Sequence, residues 1–211
     1  PVPAESPFAS HAVPVVDTGR ADSLLDAAGW KRGRDGVRTR GGLTLAFDLL
    51  TVGSGDNGIE QLIQSDLGRR GIRMNIRPLE LGAFLTRARA PAKTFDALFT
   101  GIPGDVSLAF LSAMFESKQS GSALDYAAFH TRELDSLFAA ARVAGTLRSR
   151  RDAWLGVQAA LARTLPVVWL YHARGVQGVS ARLTGVRMDL RGELVTLAQW
   201  DASERPGARG R

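Results

Sequence analysis

Apolar and polar positions along this chain change period several times, and each change marks an element. Residues 1–16 carry four prolines and little periodicity, which predicts an extended lead-in. Asp17 or Thr18 can cap a helix over residues 20–28, with Leu24, Leu25 and Ala28 on its inner face. Gly29 stands where a left-handed C-terminal cap is expected, and Trp30 then folds back onto the helix. Residues 43–50 are dense in apolar side chains, as in a largely buried strand. After the loop GSGDNG, Asn57 and Glu60 give a capping-box-like start to a helix. Its apolar stripe is Ile59, Leu62, Ile63 and Leu67, and Gly71 ends it. Residues 72–80 predict the next strand, with Ile72, Met74 and Ile76 on one face and Arg73, Asn75 and Arg77 on the other.

A short helix over 81–89 and a third strand over 95–100 follow. The loop 101–105 leads into an apolar helix over 106–115, and residues 116–122 read as a polar, mobile connection. Thr131 can cap a helix carrying Leu134, Leu137, Phe138 and Ala141 at helical spacing. A longer helix spans 147–164, with Trp154, Val157 and Leu161 on one stripe and Gln158 beside it. PVVWLY, residues 166–171, predicts a buried strand; 176–200 gives broken strand signals, and 201–211 reads as a disordered tail. This alternation predicts an α/β architecture, with helices on both faces of a mixed, mainly parallel sheet. Ligands of such sheets bind beyond the carboxyl ends of the strands, here the loops at 52–57, 80–84, 100–110 and 171–175.

Composition changes this picture little. The chain has 211 residues, 45% of them hydrophobic, which suffices for one large domain or two small ones. No apolar run is long enough to span a membrane. The chain starts at Pro1 without a charged-then-apolar leader, so it reads as a processed, truncated or excised piece of something longer. The net charge of +6 invites a nucleic-acid reading, yet its arginines are scattered and not interleaved with aromatics. Nucleic acid is therefore not an expected partner. With no cysteine, disulfides, thiol catalysis and Cys-ligated metals are excluded.

Catalytic signatures are missing as well. GSGDNG lacks the Gly-Lys-Ser/Thr ending and the three-glycine spacing of nucleotide loops. His11, His130 and His172 are unpaired at helical spacing, so zinc has no signature here. There is no Gly-x-Ser-x-Gly elbow. Neither an enzyme nor a cofactor is expected.

The segment LLDAAGWKRGRDGVR, residues 24–38, followed by GGLTL, resembles the family 5 extracellular solute-binding proteins of ABC importers. These are dipeptide-, oligopeptide- and nickel-binding subunits. The resemblance continues through QLIQSDL with Gly71-Ile72, Phe95-Asp96-Ala97, YAAFHTRELDSL at 126–137, the Pro166–Tyr171 segment and Leu183-Thr184-Gly185. It implies a periplasmic-binding-protein-like C-terminal lobe over residues 17–200. The implied role is a periplasmic or extracytoplasmic monomer that binds a peptide or other small solute and serves an ABC transporter membrane permease. Asp105 is the first ligand-contact candidate, because a carboxylate there can pair with a peptide amino terminus. Phe129, Tyr126, Tyr171 and His130 are the further candidates. The loop at 101–105 lacks the family's usual tryptophan and Asp-Pro, so the solute class stays open. A stand-alone sensing or interaction domain built on the same lobe is the alternative.

Overall fold

The computed structural model describes residues 1–4, 6–10, 15–53, 57–102, 108–173, 176–188 and 194–202. The chain forms two compact units, one from residues 11–102 and 113–131, the other from 1–10, 103–112 and 132–211.

The first unit opens with α1 (Thr18–Ala27), capped by the Asp17 carboxylate, which accepts the Arg20 N–H at 2.7 Å. Gly29 lies at φ +84, and the Trp30 N–H reaches Leu25 O while the Gly29 N–H reaches Asp26 O. This paired closure satisfies the last carbonyls of the helix. The expected apolar inner face is absent, since α1 buries no residue and Leu24 is exposed. Instead Asp22 and Asp26, one turn apart, reach the buried Arg38 guanidinium at 2.9 and 2.6 Å. Arg38 also donates to Trp30 O and Arg70 O, and Asp22 pairs with Arg70. The short helix is thus held by a charge network, with the Arg40 guanidinium 4.8 Å above the Trp30 ring.

Arg38 begins the middle strand of an antiparallel sheet, β1 (Lys31–Arg32), β2 (Arg38–Arg40) and β3 (Leu43–Thr44). The predicted strand over 43–50 is therefore split: β3 closes this small sheet, and β4 (Ala46–Val52) starts another. Gly71, at φ +81, joins the small sheet to the chain that follows α2 (Gly58–Arg69). A Cβ at Gly71 would stand 2.7 Å from Gly36 O and 2.8 Å from Arg38 Cγ. Only glycine fits there.

β4 lies between β5 (Arg73–Leu79) and β6 (Ala97–Leu98), parallel to both. Neighbouring residues of β4 point to opposite faces. Leu50 packs with Phe84 and Ala88 of α3 (Leu81–Arg89), whereas Thr51 donates its hydroxyl to Glu60 of α2. Helices therefore cover both faces, as the alternation predicts. This sheet is wholly parallel, and the antiparallel strands form separate small sheets. The face of α2 differs from expectation, because Leu62 is 69% exposed while Glu60 is buried. Glu60 and Gln64, which donates to Met74 O at 2.7 Å, bind the sheet by hydrogen bonds.

The division between units falls within α4 (Ala109–Phe115). The segment 116–122, expected to be mobile, contains a 3-10 turn at Ser117–Gln119 and buries Glu116. In the second unit, α5 (Arg132–Val143) and α6 (Leu147–Thr164) form a hairpin. Phe138 and Trp154 meet edge to face with centroids 6.0 Å apart, and Leu134, Val157 and Leu161 are buried. Gln158 holds part of the lead-in, donating to Phe8 O and accepting from the Ser10 N–H. Residues 166–171 form no strand, and Val168 is 69% exposed. Pro166 has no N–H to give a ladder, and no described strand pairs with this segment. A two-stranded ribbon of β7 (Leu183–Thr184) and β8 (Asp201–Ala202) closes the described chain.

Candidate functional site

β4 and β5 end in register at Val52 and Leu79, and the parallel β6 ends beside Leu50, so all three open on one edge of their sheet. Leu79 and Leu98, the last residues of β5 and β6, join Leu50, Phe84 and Ala88 in a core that also takes Tyr126 and Leu124. That contact lays the segment 121–131 against the carboxyl half of the sheet, on the face it shares with α3. Open α/β sheets bind their ligands at this end.

The turn before Tyr126 is tied by main-chain bonds from Asp125 N–H to Ser122 O and from Tyr126 N–H to Leu124 O. Asp125 is 3% exposed. Its Oδ2 accepts the Gly121 N–H at 2.8 Å and stands 3.2 Å from His130 Nε2. Its Oδ1 and the His130 Nδ1 are buried with no hydrogen-bond partner among the described residues. Ala128 takes the left-handed conformation at φ +47. Phe129, between Ala128 and His130, is half-buried. The buried Glu116 pairs with Lys118 at 3.3 Å.

Across the sheet, the capping box expected of Asn57 and Glu60 does not form. Asn57 makes no side-chain cap bond; its Oδ1 lies 2.9 Å from where a Gly53 Cβ would stand. Glu60 is taken by Thr51, and Asn57 Nδ2 is buried without a partner among the described residues. Glu80, just beyond β5, caps α3 by accepting the Gly82 and Ala83 N–H groups, the former at 2.7 Å. Those backbone bonds hold its carboxyl below the ordinary range.

Of the expected contact residues, the structure brings Phe129, Tyr126 and His130 into one segment. The Tyr126 ring is buried among Leu50, Phe84 and Ala88, so it serves packing. Tyr171 belongs to the other unit and is 60% exposed. Asp105 lies outside the described residues, as do His11, residues 54–56 of the glycine loop and residues 174–175. His172 is exposed. Asp125 was missed by sequence reasoning. The available signal was a carboxylate five residues before a histidine in the turn-rich GSALDYAAFH. Among the described residues no group of three or more His, Asp or Glu can hold a metal ion. A half-buried aromatic beside fixed hydrogen-bonding groups suits holding a solute. A shallow groove of about 380 Å³, lined in part by Arg32, Gln64 and Arg73, lies at the opposite, amino end of β5.

This architecture is a periplasmic-binding-protein-like α/β fold of the kind found within the solute-binding proteins of ABC transporters. The chain is similar over 97% of its length to the oligopeptide-binding protein AppA from Bacillus subtilis, solved with a nonapeptide (TM-score 0.78, 21% identity). It is similar over 93% to an ABC transporter substrate-binding protein from Sinorhizobium meliloti (TM-score 0.61, 22% identity). NikZ from Campylobacter jejuni, solved with Ni(L-His), matches 71% of it (TM-score 0.59, 23% identity). The chain spans 42%, 39% and 31% of those three proteins. No protein-family model and no curated protein sequence matches it.

Proposed function

We propose that this chain is one lobe of an extracytoplasmic solute-binding subunit of an ABC importer, and that it receives a peptide-like solute at the carboxyl end of the β5-β4-β6 sheet. The observation that carries this reading is the fold shared over 97% of the chain with a protein solved with a nonapeptide. Such a subunit does no covalent chemistry. Solute held between two lobes stabilises the closed form, and a membrane permease distinguishes closed from open. Phe129 offers an apolar wall, and Asp105 offers a carboxylate for the amino terminus of the solute. Tyr171 and His130 are further contact candidates, of which His130 is already engaged by Asp125. The working form is a monomer outside the cytoplasm.

The test is thermal melting of the full-length protein against di- and oligopeptides, nickel chelates and sugars. A peptide at a hundred times its Kd adds about 2.7 kcal/mol of stability, a rise of several degrees. The expected result is a rise with peptides that Asp105→Ala reduces. A rise with nickel chelates alone, or with nothing, overturns the peptide reading.

A further inference from the structure

The residues from Asp125 to His130 form a closed ring. Backbone joins them through Tyr126, Ala127, Ala128 and Phe129, and the Oδ2–Nε2 contact at 3.2 Å joins the two ends. Each part of this ring is pinned. Tyr126 is sunk in the core, and Asp125 is held by Gly121. Ala128 sits in a backbone region that residues with a Cβ rarely adopt.

Three unfavourable features fall within the same six residues: the left-handed Ala128, and the Asp125 Oδ1 and His130 Nδ1, which find no partner among the described residues. Buried polar atoms are nearly always paired, so each orphan calls for a reason. Strained conformations persist where surrounding contacts over-determine them, and they cluster at ligand sites. Whereas Tyr126 is buried, Phe129 is the large apolar side chain of the ring that stays half-buried. Its backbone lies between the left-handed Ala128 and the tethered His130. The closure therefore restrains the main chain from which the half-buried Phe129 ring projects.

We propose that Asp125 is a positioning residue: through Gly121 and His130 it fixes the Phe129 ring and thereby gives the lobe a preference for solutes bearing an aromatic side chain. This rests on the solute-binding reading above. A carboxylate is suited to the task because its charge strengthens both contacts made by the one oxygen, which the neutral amide of Asn does not do.

The test uses the full-length protein and two peptides that differ only in an aromatic residue replaced by alanine, chosen from those that raise its melting temperature. Calorimetry on wild type, Asp125→Asn, His130→Gln, Phe129→Ala and the Asp125→Asn/Phe129→Ala double variant gives the affinity ratio for each. Asp125→Asn and His130→Gln are expected to lower the preference for the aromatic peptide about tenfold, or about 1.4 kcal/mol. Phe129→Ala is expected to abolish it, and Asp125→Asn to add nothing in that background. Equal weakening of both peptides, an effect independent of Phe129, or unchanged affinities would overturn the proposal. If Asp125→Asn does not fold, His130→Gln carries the test, since it leaves the Gly121 bond in place. A wild-type protein that binds no peptide removes the solute-binding reading itself, before any variant is made.

Discussion

At the scale of single residues, Arg38 and Gly71 do work that their neighbours in sequence do not reveal. Arg38 is a strand residue in an arginine-rich stretch, yet it alone of that stretch is buried, because Asp22, Asp26 and two carbonyls converge on it. Gly71 reads as a helix terminator, which it is, but its lack of a Cβ also lets the β1–β2 turn approach. Gly71→Ala is expected to destabilise the chain by more than about 1 kcal/mol, combining the left-handed backbone cost with a clash against Gly36 O. Urea denaturation checks this: an unchanged midpoint would mean that the turn relaxes away. Asp125 belongs to the same class, a residue whose role appears only once its partners are in place.

At the scale of elements, helices were the most readable, since their caps and periods are local. Asp17, Gly29 and Thr146 act at the ends of α1 and α6 through bonds three or four residues long. Which face a helix buries was less readable. Leu24 and Leu62 are apolar and exposed, whereas Asp22 and Glu60 are the contacts, because the partners presented were an arginine and a threonine. Gln158 is the clearest element-scale case. Its amide reads the main chain of residues 8–10 as a neighbouring strand would, donating at 2.8 Å and accepting at 3.0 Å. Gln158→Ala is expected to cost about 1 kcal/mol, since it removes two part-buried hydrogen bonds to that main chain. Faster amide exchange and proteolysis confined to the first ten residues would show that loss, and unaltered protection would refute it.

At the scale of the whole molecule, acid stability gathers contributions from three places. Asp22 is held below its ordinary value chiefly by the Arg38 hydrogen bond, Asp48 by Asn75 and then Arg77, and Glu80 by the Gly82 N–H. Each folded value lies below the unfolded one, so the unfolded chain binds more protons between the two. That stabilisation is complete above the ordinary carboxylate range and is lost as pH falls through the folded values. Urea midpoints are expected to drop steeply below about pH 4. Asp22→Asn should lower the midpoint at neutral pH and flatten the acid slope; an unchanged slope would show that Asp22 adds nothing.

Local signals by themselves determined the helices α1 to α6, the alternation of strand and helix from β4 to β6, the α/β class and the lack of cysteine chemistry. They did so because caps, glycine turns and the periods of 2 and 3.6 act between residues a few positions apart. The tertiary structure alone decided that the apolar run at 43–50 divides between two sheets, that residues 166–171 lie exposed without a ladder, and that Asp125 stands against His130 under a core reached from β4, α3 and Tyr126. Those outcomes depend on what each face meets across the fold. The free energy of a buried group is set by that partner and not by the residue's own identity.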